Sequence, residues 1–319
     1  MGMIKAGIVG CGRMGMERAA ALEKLGARLA WFCDPDPGRA EALAKQFSGS
    51  WTLRSEDLDL GSLDAVFVCV PPGHRGRIES QCLARSIPLF VEKPIGLSAE
   101  HAAPLLEQLE RHRVINAVGY MNRYRNSVRL AREVLSSRKV LGITCVWVGR
   151  KYRVAWWGVE NLSGGPFNEQ GTHVVDLCRC LVGEVGAIKS VAARPENSSD
   201  PEHGVAVALQ FSNGPLGTVF YNCEAKEKDI RLDVFCDDGT LTLEGWDFTM
   251  TKNSIDGNLP KPESQEIFLK ETQAFLHALG SNDQSLIECD FAEAYRTQRV
   301  VDRIRESFAD HGDSRAIEV

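Results

Sequence analysis

The sequence predicts an α/β protein with two parts: an N-terminal Rossmann domain built on a doubly wound parallel sheet, and a C-terminal α+β domain built on an open, largely antiparallel sheet. Three observations lead there. Through the first 120 residues, short apolar runs alternate with amphipathic helix-like stretches, the signature of βαβ units. Beyond residue 190, strand-like runs follow one another without helices between them, as they do in antiparallel sheets. The 319 residues also exceed the roughly 250–300 that one hydrophobic core accommodates. The change of texture places the boundary near residue 120, giving domains of residues 1–120 and 121–319.

In the first part, strands are expected at residues 4–9, 28–33, 65–70, 89–91 and 114–118, with helices at 14–25, 38–47, 75–84 and 98–113. The last helix opens on Ser98, a residue type suited to the N-cap. The run from Ala65 to Val70 is apolar at every position, as a parallel strand covered by helices on both faces must be. In the second part, a helix at 127–136 and a strand at 143–148 precede a Trp- and Gly-rich segment and a helix from Thr172. Strands are then expected at 191–194, 205–211, 217–222, 230–235, 240–243 and 247–251. Asn213-Gly214 and Asp238-Gly239 are turn pairs that favour tight hairpins with positive φ. A loop is expected at 253–263 and helices at 266–279 and 291–308.

Composition excludes several classes of function. A net charge of −6 lacks the clustered Lys and Arg that phosphate neutralisation in nucleic acids requires. No stretch approaches the roughly 18–20 apolar residues of a membrane helix. The N-terminus shows no signal-peptide pattern, so a cytoplasmic protein without membrane or nucleic-acid partners is expected. Of the ten cysteines, only Cys178 and Cys180 lie close together, and none forms a C-x-x-C pair. Reduced, structural cysteine and no metal site are expected.

Gly10-Cys11-Gly12-Arg13-Met14-Gly15 matches G-x-G-x-x-G where the motif has meaning, after an apolar strand and opening a helix. The first glycine permits the tight turn, the second lets a pyrophosphate approach the backbone, and the third lets helix and strand pack closely. The helix N-terminus offers N–H groups to the anion. About 20 residues on, the second strand ends in Cys33-Asp34, where a carboxylate accepts hydrogen bonds from an adenosine ribose. Asp34 points to NAD, since it would repel a 2′-phosphate. Arg39, one helical turn further, keeps NADP as the lesser alternative, and a ligand-free glycine turn with Asp34 as a helix cap is the other reading.

These residues belong to a longer ordered set. It runs from Gly7 to Gly15, through Asp34, Val70-Pro71-Pro72, Glu92-Lys93-Pro94 and Gly119-Tyr120-Met121-Asn122-Arg123-Tyr124, to the segment from Gly164 to Asp176 that includes Gly171-Thr172-His173. In this the chain resembles the Gfo/Idh/MocA oxidoreductases, the family of glucose-fructose oxidoreductase and inositol dehydrogenase, over nearly its whole length. The resemblance implies a nicotinamide cofactor and a C-terminal sheet used in oligomerisation, hence a homodimer or homotetramer.

Alcohol oxidation with a dinucleotide needs a base for the hydroxyl proton and a cation for the developing alkoxide. Lys93 suits the cation. It follows a strand at the carboxyl edge of the parallel sheet, where ligands of open α/β folds bind, and the resemblance implies that it hydrogen-bonds the reacting oxygen. A solvated surface lysine is its bland reading. His173 is the candidate proton acceptor, because imidazole titrates near neutrality. The resemblance pairs it with an acid four residues earlier, which here is Glu169 in place of aspartate. Asp176 either shares that helical face or is a structural acid. Cofactor contacts are expected from Gly10, Cys11, Gly12, Arg13, Met14, Gly15, Asp34, Pro71, Glu92 and Lys93. Substrate contacts are expected from Tyr120, Asn122, Arg123, Arg153, Trp157 and Asp176, since aromatic faces and Arg suit a polyol or sugar. Trp and Arg also suit a subunit interface. The expected activity is hydride transfer between NAD and a secondary alcohol or ketone of a sugar, cyclitol or sugar derivative. Imine or enone reduction, transient use of NAD in a non-redox reaction, and dinucleotide sensing without catalysis are the alternatives.

Overall fold

A computed structural model describes residues 3–194, 201–260 and 266–309. In chain order the first elements are β1 (Lys5–Val9), α1 (Arg13–Lys24), β2 (Arg28–Cys33), α2 (Pro37–Phe47), β3 (Ser50–Thr52), β4 (Ala65–Val68), α3 (Arg77–Leu83), β5 (Leu89–Val91), α4 (Ala99–His112) and β6 (Asn116–Val118). Next come α5 (Asn126–Leu135), β7 (Val140–Arg150), α6 (Glu160–Ser163), a π-helical turn (Phe167–Gly171), α7 (Thr172–Val182) and β8 (Val185–Ala193). Strands β9 (Gly204–Phe211), β10 (Leu216–Asn222), β11 (Glu224–Cys236), β12 (Thr240–Glu244) and β13 (Thr249–Asn253) then precede α8 (Ile267–Ser281) and α9 (Phe291–Ala309).

The chain divides into two compact units, Met1–Tyr124 with Ser264–Arg296, and Arg125–Glu263 with Thr297–Val319. The expected single cut at residue 120 is corrected for Ser264–Arg296, which returns to the first unit because α8 is apolar where it meets that unit's sheet. Phe275 stands edge-on to Phe67 and Phe90, at 5.4 and 5.6 Å between ring centroids, and those two rings stack on each other at 5.0 Å.

The first unit is a parallel six-stranded sheet in the order β3-β2-β1-β4-β5-β6. Alternation along each strand divides the side chains between two helix-covered faces. Ile8, Phe67 and Phe90 pack with Leu22 of α1, Leu43 of α2 and Phe275 of α8. Val66, Val68, Leu89 and Val91 pack on the other face with Leu83 of α3 and Leu105 and Leu109 of α4. Asp36 caps α2 by accepting from the Gly38 and Arg39 N–H groups, and Ser98 caps α4 through the His101 N–H. The third expected strand stops at Val68 rather than Val70. The short edge strand β3 has too few residues to leave a periodic signal.

The second unit holds a seven-stranded sheet in the order β13-β12-β11-β7-β10-β9-β8, antiparallel except for the β10–β7 pair. One face carries Ile143, Cys145 and Trp147 of β7, Val219 and Tyr221 of β10, and Leu232 and Val234 of β11, packed with α5 and α7 residues such as Val128 and Val175. The other face leaves Val191, Leu216 and Phe220 at 58%, 64% and 48% exposure. At the expected turns, Gly214 has φ +111°. Asp238-Gly239 uses no positive φ, and glycine is needed there because a Cβ would stand 2.9 Å from Ile255 Cγ1. Strand β11 starts earlier than expected, its pairing with β7 resuming beyond an irregularity between Glu224 and Asp229. No helix among the described residues is long and apolar enough to cross a membrane.

Replacing Phe275 by Ala removes a buried ring packed edge-on against two others, so unfolding in urea should show a loss of about 3–5 kcal/mol. Leu216→Ala, on the uncovered face, should change stability by no more than about 0.5 kcal/mol in the monomeric reference state.

Candidate active site

At the carboxyl end of β1 the three glycines of the turn are required for three different reasons. Gly10 has φ +92°, and a Cβ on it would stand 2.6 Å from the Cys69 carbonyl carbon. A Cβ on Gly15 would collide with the Gly10 carbonyl oxygen, and this contact brings α1 down onto the strand. Nothing lies within 4 Å of a Cβ position on Gly12. Gly12 is also the N-cap of α1, with no side-chain cap, so the open space faces a helix N-terminus whose N–H groups suit an anion. Arg13 is exposed and Met14 half-buried beside it.

Asp34 is tied to this turn. Its Oδ2 accepts from the Cys11 N–H at 2.8 Å and its Oδ1 from the Asp36 N–H at 2.9 Å, while the Gly10 N–H donates to the Cys33 carbonyl at 2.8 Å. Each carboxylate oxygen has two lone pairs, so both keep acceptor capacity for a ribose hydroxyl. Arg39 is drawn to Asp36 at 3.4 Å. Open backbone at Gly12, an uncapped helix end and an acid at the second strand fit NAD. Beneath the turn, burial first and the Asp34 charge second push the Cys11 thiol up to about 12 and the Cys33 thiol up to about 11. Burial also raises Cys69, so these thiols stay protonated and non-nucleophilic. Among the described residues, no group of three or more His, Cys, Asp or Glu side chains is placed to hold a metal ion.

Next to β1, β4 leads into the half-buried Pro71, and one strand further β5 leads into Glu92-Lys93-Pro94. The Glu92 N–H donates to the Val68 carbonyl at 2.9 Å, which keeps Lys93 on the edge that carries the glycine turn. Lys93 is half-buried and its bond to Pro94 is cis. The side chain of Glu92, expected at the cofactor, goes instead to Arg18 of α1: Nε donates to Oε1 at 2.7 Å. The same guanidinium donates to Glu271 of α8 at 2.6 Å and lies 4.2 Å above the Phe90 ring. Burial opposes its charge, and Glu92 and Glu271 outweigh that, holding Arg18 above its ordinary value.

Tyr120 and Asn122 are buried after β6. Arg123, expected at the substrate, is buried and has two partners in the first unit. Its Nη1 donates to the Glu288 carbonyl at 3.0 Å and its Nη2 pairs with Glu293 at 2.9 Å.

His173 lies in the second unit, in the first turn of α7 and 4% exposed. The π-helical turn ahead of it carries Glu169, whose Oε2 accepts from the Trp157 indole N–H at 2.9 Å. Trp157 is thereby a buried partner of the candidate acid, with Tyr152 edge-on at 5.7 Å. Next to Glu169, Gln170 accepts from the Tyr221 hydroxyl at 2.8 Å. Arg153 is exposed. Asp176, also expected at the substrate, has a partner within the second unit: Oδ1 accepts from the Thr297 hydroxyl at 2.9 Å, and Thr297 in turn accepts from Arg179 at 2.6 Å.

Three residues escaped the sequence reading. Arg18 and Glu271 could have been noticed as charges on otherwise apolar helix faces. Trp147 stacks on the His173 imidazole and shows only as the third inward position after Ile143 and Cys145.

Comparison with known proteins places the chain in a family. Residues 4–120 match the family model GFO_IDH_MocA, described as an oxidoreductase family with an NAD-binding Rossmann fold, and residues 138–242 match the GFO/IDH/MocA C-terminal domain. The chain is 26% identical to an inositol 2-dehydrogenase of Arthrobacter sp. over 257 residues, 76% of this chain and 74% of that protein. It is also 26% identical to the scyllo-inositol 2-dehydrogenase (NAD(+)) of Bacillus subtilis over 259 residues, 75% and 73% of the two chains. Its fold superposes on the WlbA dehydrogenase of Bordetella pertussis, solved with NADH and UDP-GlcNAcA, with a TM-score of 0.84, 20% identity and 97% coverage of both chains.

The glycines separate fold from binding. Gly15→Ala should lower the melting temperature and abolish NAD binding together. Gly12→Ala should leave melting unchanged while calorimetry shows NAD affinity reduced about tenfold or more, since its methyl fills only open space where a backbone-bound phosphate would come.

Proposed function

The chain belongs to the Gfo/Idh/MocA oxidoreductase family, whose N-terminal domain is an NAD-binding Rossmann fold, and on that premise we propose that it is an NAD-dependent dehydrogenase. Its substrate on this reading is a secondary alcohol of a sugar, cyclitol or related polyol. The carrying observation is Lys93, held by Glu92 on the sheet edge that also bears the glycine turn. The inositol dehydrogenases among the relatives support the substrate class.

Gly10 to Gly15, Asp34, Pro71 and the Glu92-Lys93 turn would hold the dinucleotide, which supplies a hydride acceptor at its nicotinamide. Lys93 donates a hydrogen bond to the substrate oxygen and lowers the energy of the alkoxide as it develops. His173 accepts the hydroxyl proton, and in the reverse direction returns it. Glu169, bonded to the Trp157 indole, is the candidate acid partner of the imidazole or of a substrate hydroxyl. Tyr120, Asn122, Arg153 and Trp157 remain the candidate substrate lining. Arg123 and Asp176, each with a partner in its own unit, complete the list of candidates.

A panel of polyols and sugars with NAD, read at the NADH absorbance, tests this. Lys93→Met and His173→Asn should each lower kcat/KM about 10²–10⁴-fold while calorimetric NAD affinity stays near that of the parent. Loss of NAD binding without turnover of any polyol in the parent would overturn the reading. Asp34→Ala should narrow the preference for NAD over NADP.

We also infer a cytoplasmic homodimer or homotetramer joined through the uncovered sheet face. Ten cysteines, none of them in a disulfide, suit a reducing compartment. In register across four strands, Val191, Ala206, Phe220 and Val146 make an apolar row, larger than a monomer's scattered exposed side chains. Phe220→Asp should shift sedimentation toward the monomer while kcat per site and the circular dichroism spectrum are measured alongside.

A further inference from the structure

We propose that Trp147 is a positioning residue for His173, setting the plane of the imidazole that the reading above uses as proton carrier; the inference rests on that reading. The two ring centroids are 5.7 Å apart and the planes are within 11° of parallel. Both residues are almost fully buried, at 2% and 4% exposure. An imidazole on a helix has two soft side-chain torsions, the second of them broad. A flat indole lying parallel to it leaves one ring plane that keeps the stack, and so confines the ring nitrogens to that plane.

Trp147 can do this because it is itself boxed in. It projects from β7 on the helix-facing side of the sheet, after Ile143 and Cys145 in the same alternation. Trp246 meets it edge-on at 5.9 Å and 70°, and Phe248 lies tilted against it at 6.5 Å. Both belong to the turn between β12 and β13, where Gly245 and Phe248 adopt φ +74° and +47°. Arg125 latches that turn by donating from Nη2 to the Trp246 carbonyl at 3.1 Å and from Nη1 to Asp247 at 3.2 Å. The path from Arg125 through the turn and Trp147 to His173 lies wholly within the second unit. Every step along it is a direct contact.

The test joins a spectroscopic and a kinetic readout on the full chain. With histidines carbon-labelled at Cε1, the His173 signal is identified by its loss in His173→Asn. In the parent it should be displaced by the indole ring current. Trp147→Leu should return it to the ordinary position, and Trp147→Phe, with a smaller ring, should move it partway. With NAD and the panel polyol oxidised fastest, Trp147→Leu should lower kcat about 10–100-fold, the scale expected of a catalytic group displaced by about an ångström, with KM nearly unchanged. Trp147→Phe should recover most of that loss, and Trp147→Leu added to His173→Asn should cost nothing more. If the leucine variant does not fold, the phenylalanine variant and Arg125→Met carry the same comparison. Unchanged kcat in Trp147→Leu, beside an inactive His173→Asn, overturns the positioning role alone. Full activity in His173→Asn overturns the proton-carrier reading, and the positioning role with it.

Discussion

The buried guanidinium of Arg18 is the constraint around which the first unit is arranged. A fully buried charge without partners is prohibitively costly, and here two carboxylates from distant parts of the chain meet it: Glu92 just beyond β5 and Glu271 on α8. Removing either partner from such a site typically costs about 3–5 kcal/mol, so α1, the end of β5 and α8 are locked to one another. Consequences reach outward from that joint. Gly119 must be glycine because a Cβ would stand 2.7 Å from Glu92 Oε2. Ser264–Arg296 must fold with the first unit although some 140 residues intervene. Lys93 follows Glu92 directly, and α1 begins at the glycine turn, so Lys93 and the N-terminus of α1 share one rigid support.

What was legible in the sequence follows the range of the interactions concerned. The parallel strands, their helices and the caps at Asp36 and Ser98 depend on residues within a few positions of one another, and the pattern discloses them. The glycine turn is local too, and its three glycines could be assigned separate roles from spacing alone. The Arg18 joint spans 74 and 253 positions, and no periodicity records it. For the same reason the return of α8 to the first unit was missed: an amphipathic helix announces that it buries a face, not which sheet it buries it against. At the second site, the spacing of Glu169 and His173 was plain. Trp157 was noticed as a candidate substrate contact but its bond to Glu169 was not, and the Trp147 ring that stacks on His173 comes from a strand whose sequence reads as ordinary core.

The two units place chemistry in different ways. The first presents backbone: open N–H groups at Gly12, a carboxylate fixed by the turn it serves, and a lysine on a strand end. The second presents side chains held by aromatic packing, Glu169 through Trp157 and His173 against Trp147. A backbone site tolerates little variation in sequence and recognises what every dinucleotide has in common. A side-chain site can be relined without disturbing the sheet below.

This division also explains how an acidic chain accommodates an anionic cofactor. The net charge of −6 would oppose a polyanion, but a pyrophosphate at Gly12 meets a helix N-terminus and oriented N–H groups whose field is short-ranged and strong. Asp34 adds a negative charge at the place where NAD offers hydroxyls and NADP would offer a phosphate. Both Asp34 oxygens already accept a backbone N–H, so the carboxylate cannot swing away without loosening the turn. Arg39, the nearest cation along the chain, is drawn toward Asp36. Discrimination against a 2′-phosphate is therefore built into the same hydrogen bonds that hold the glycine turn closed, and it cannot be relaxed at Asp34 without cost to the turn itself.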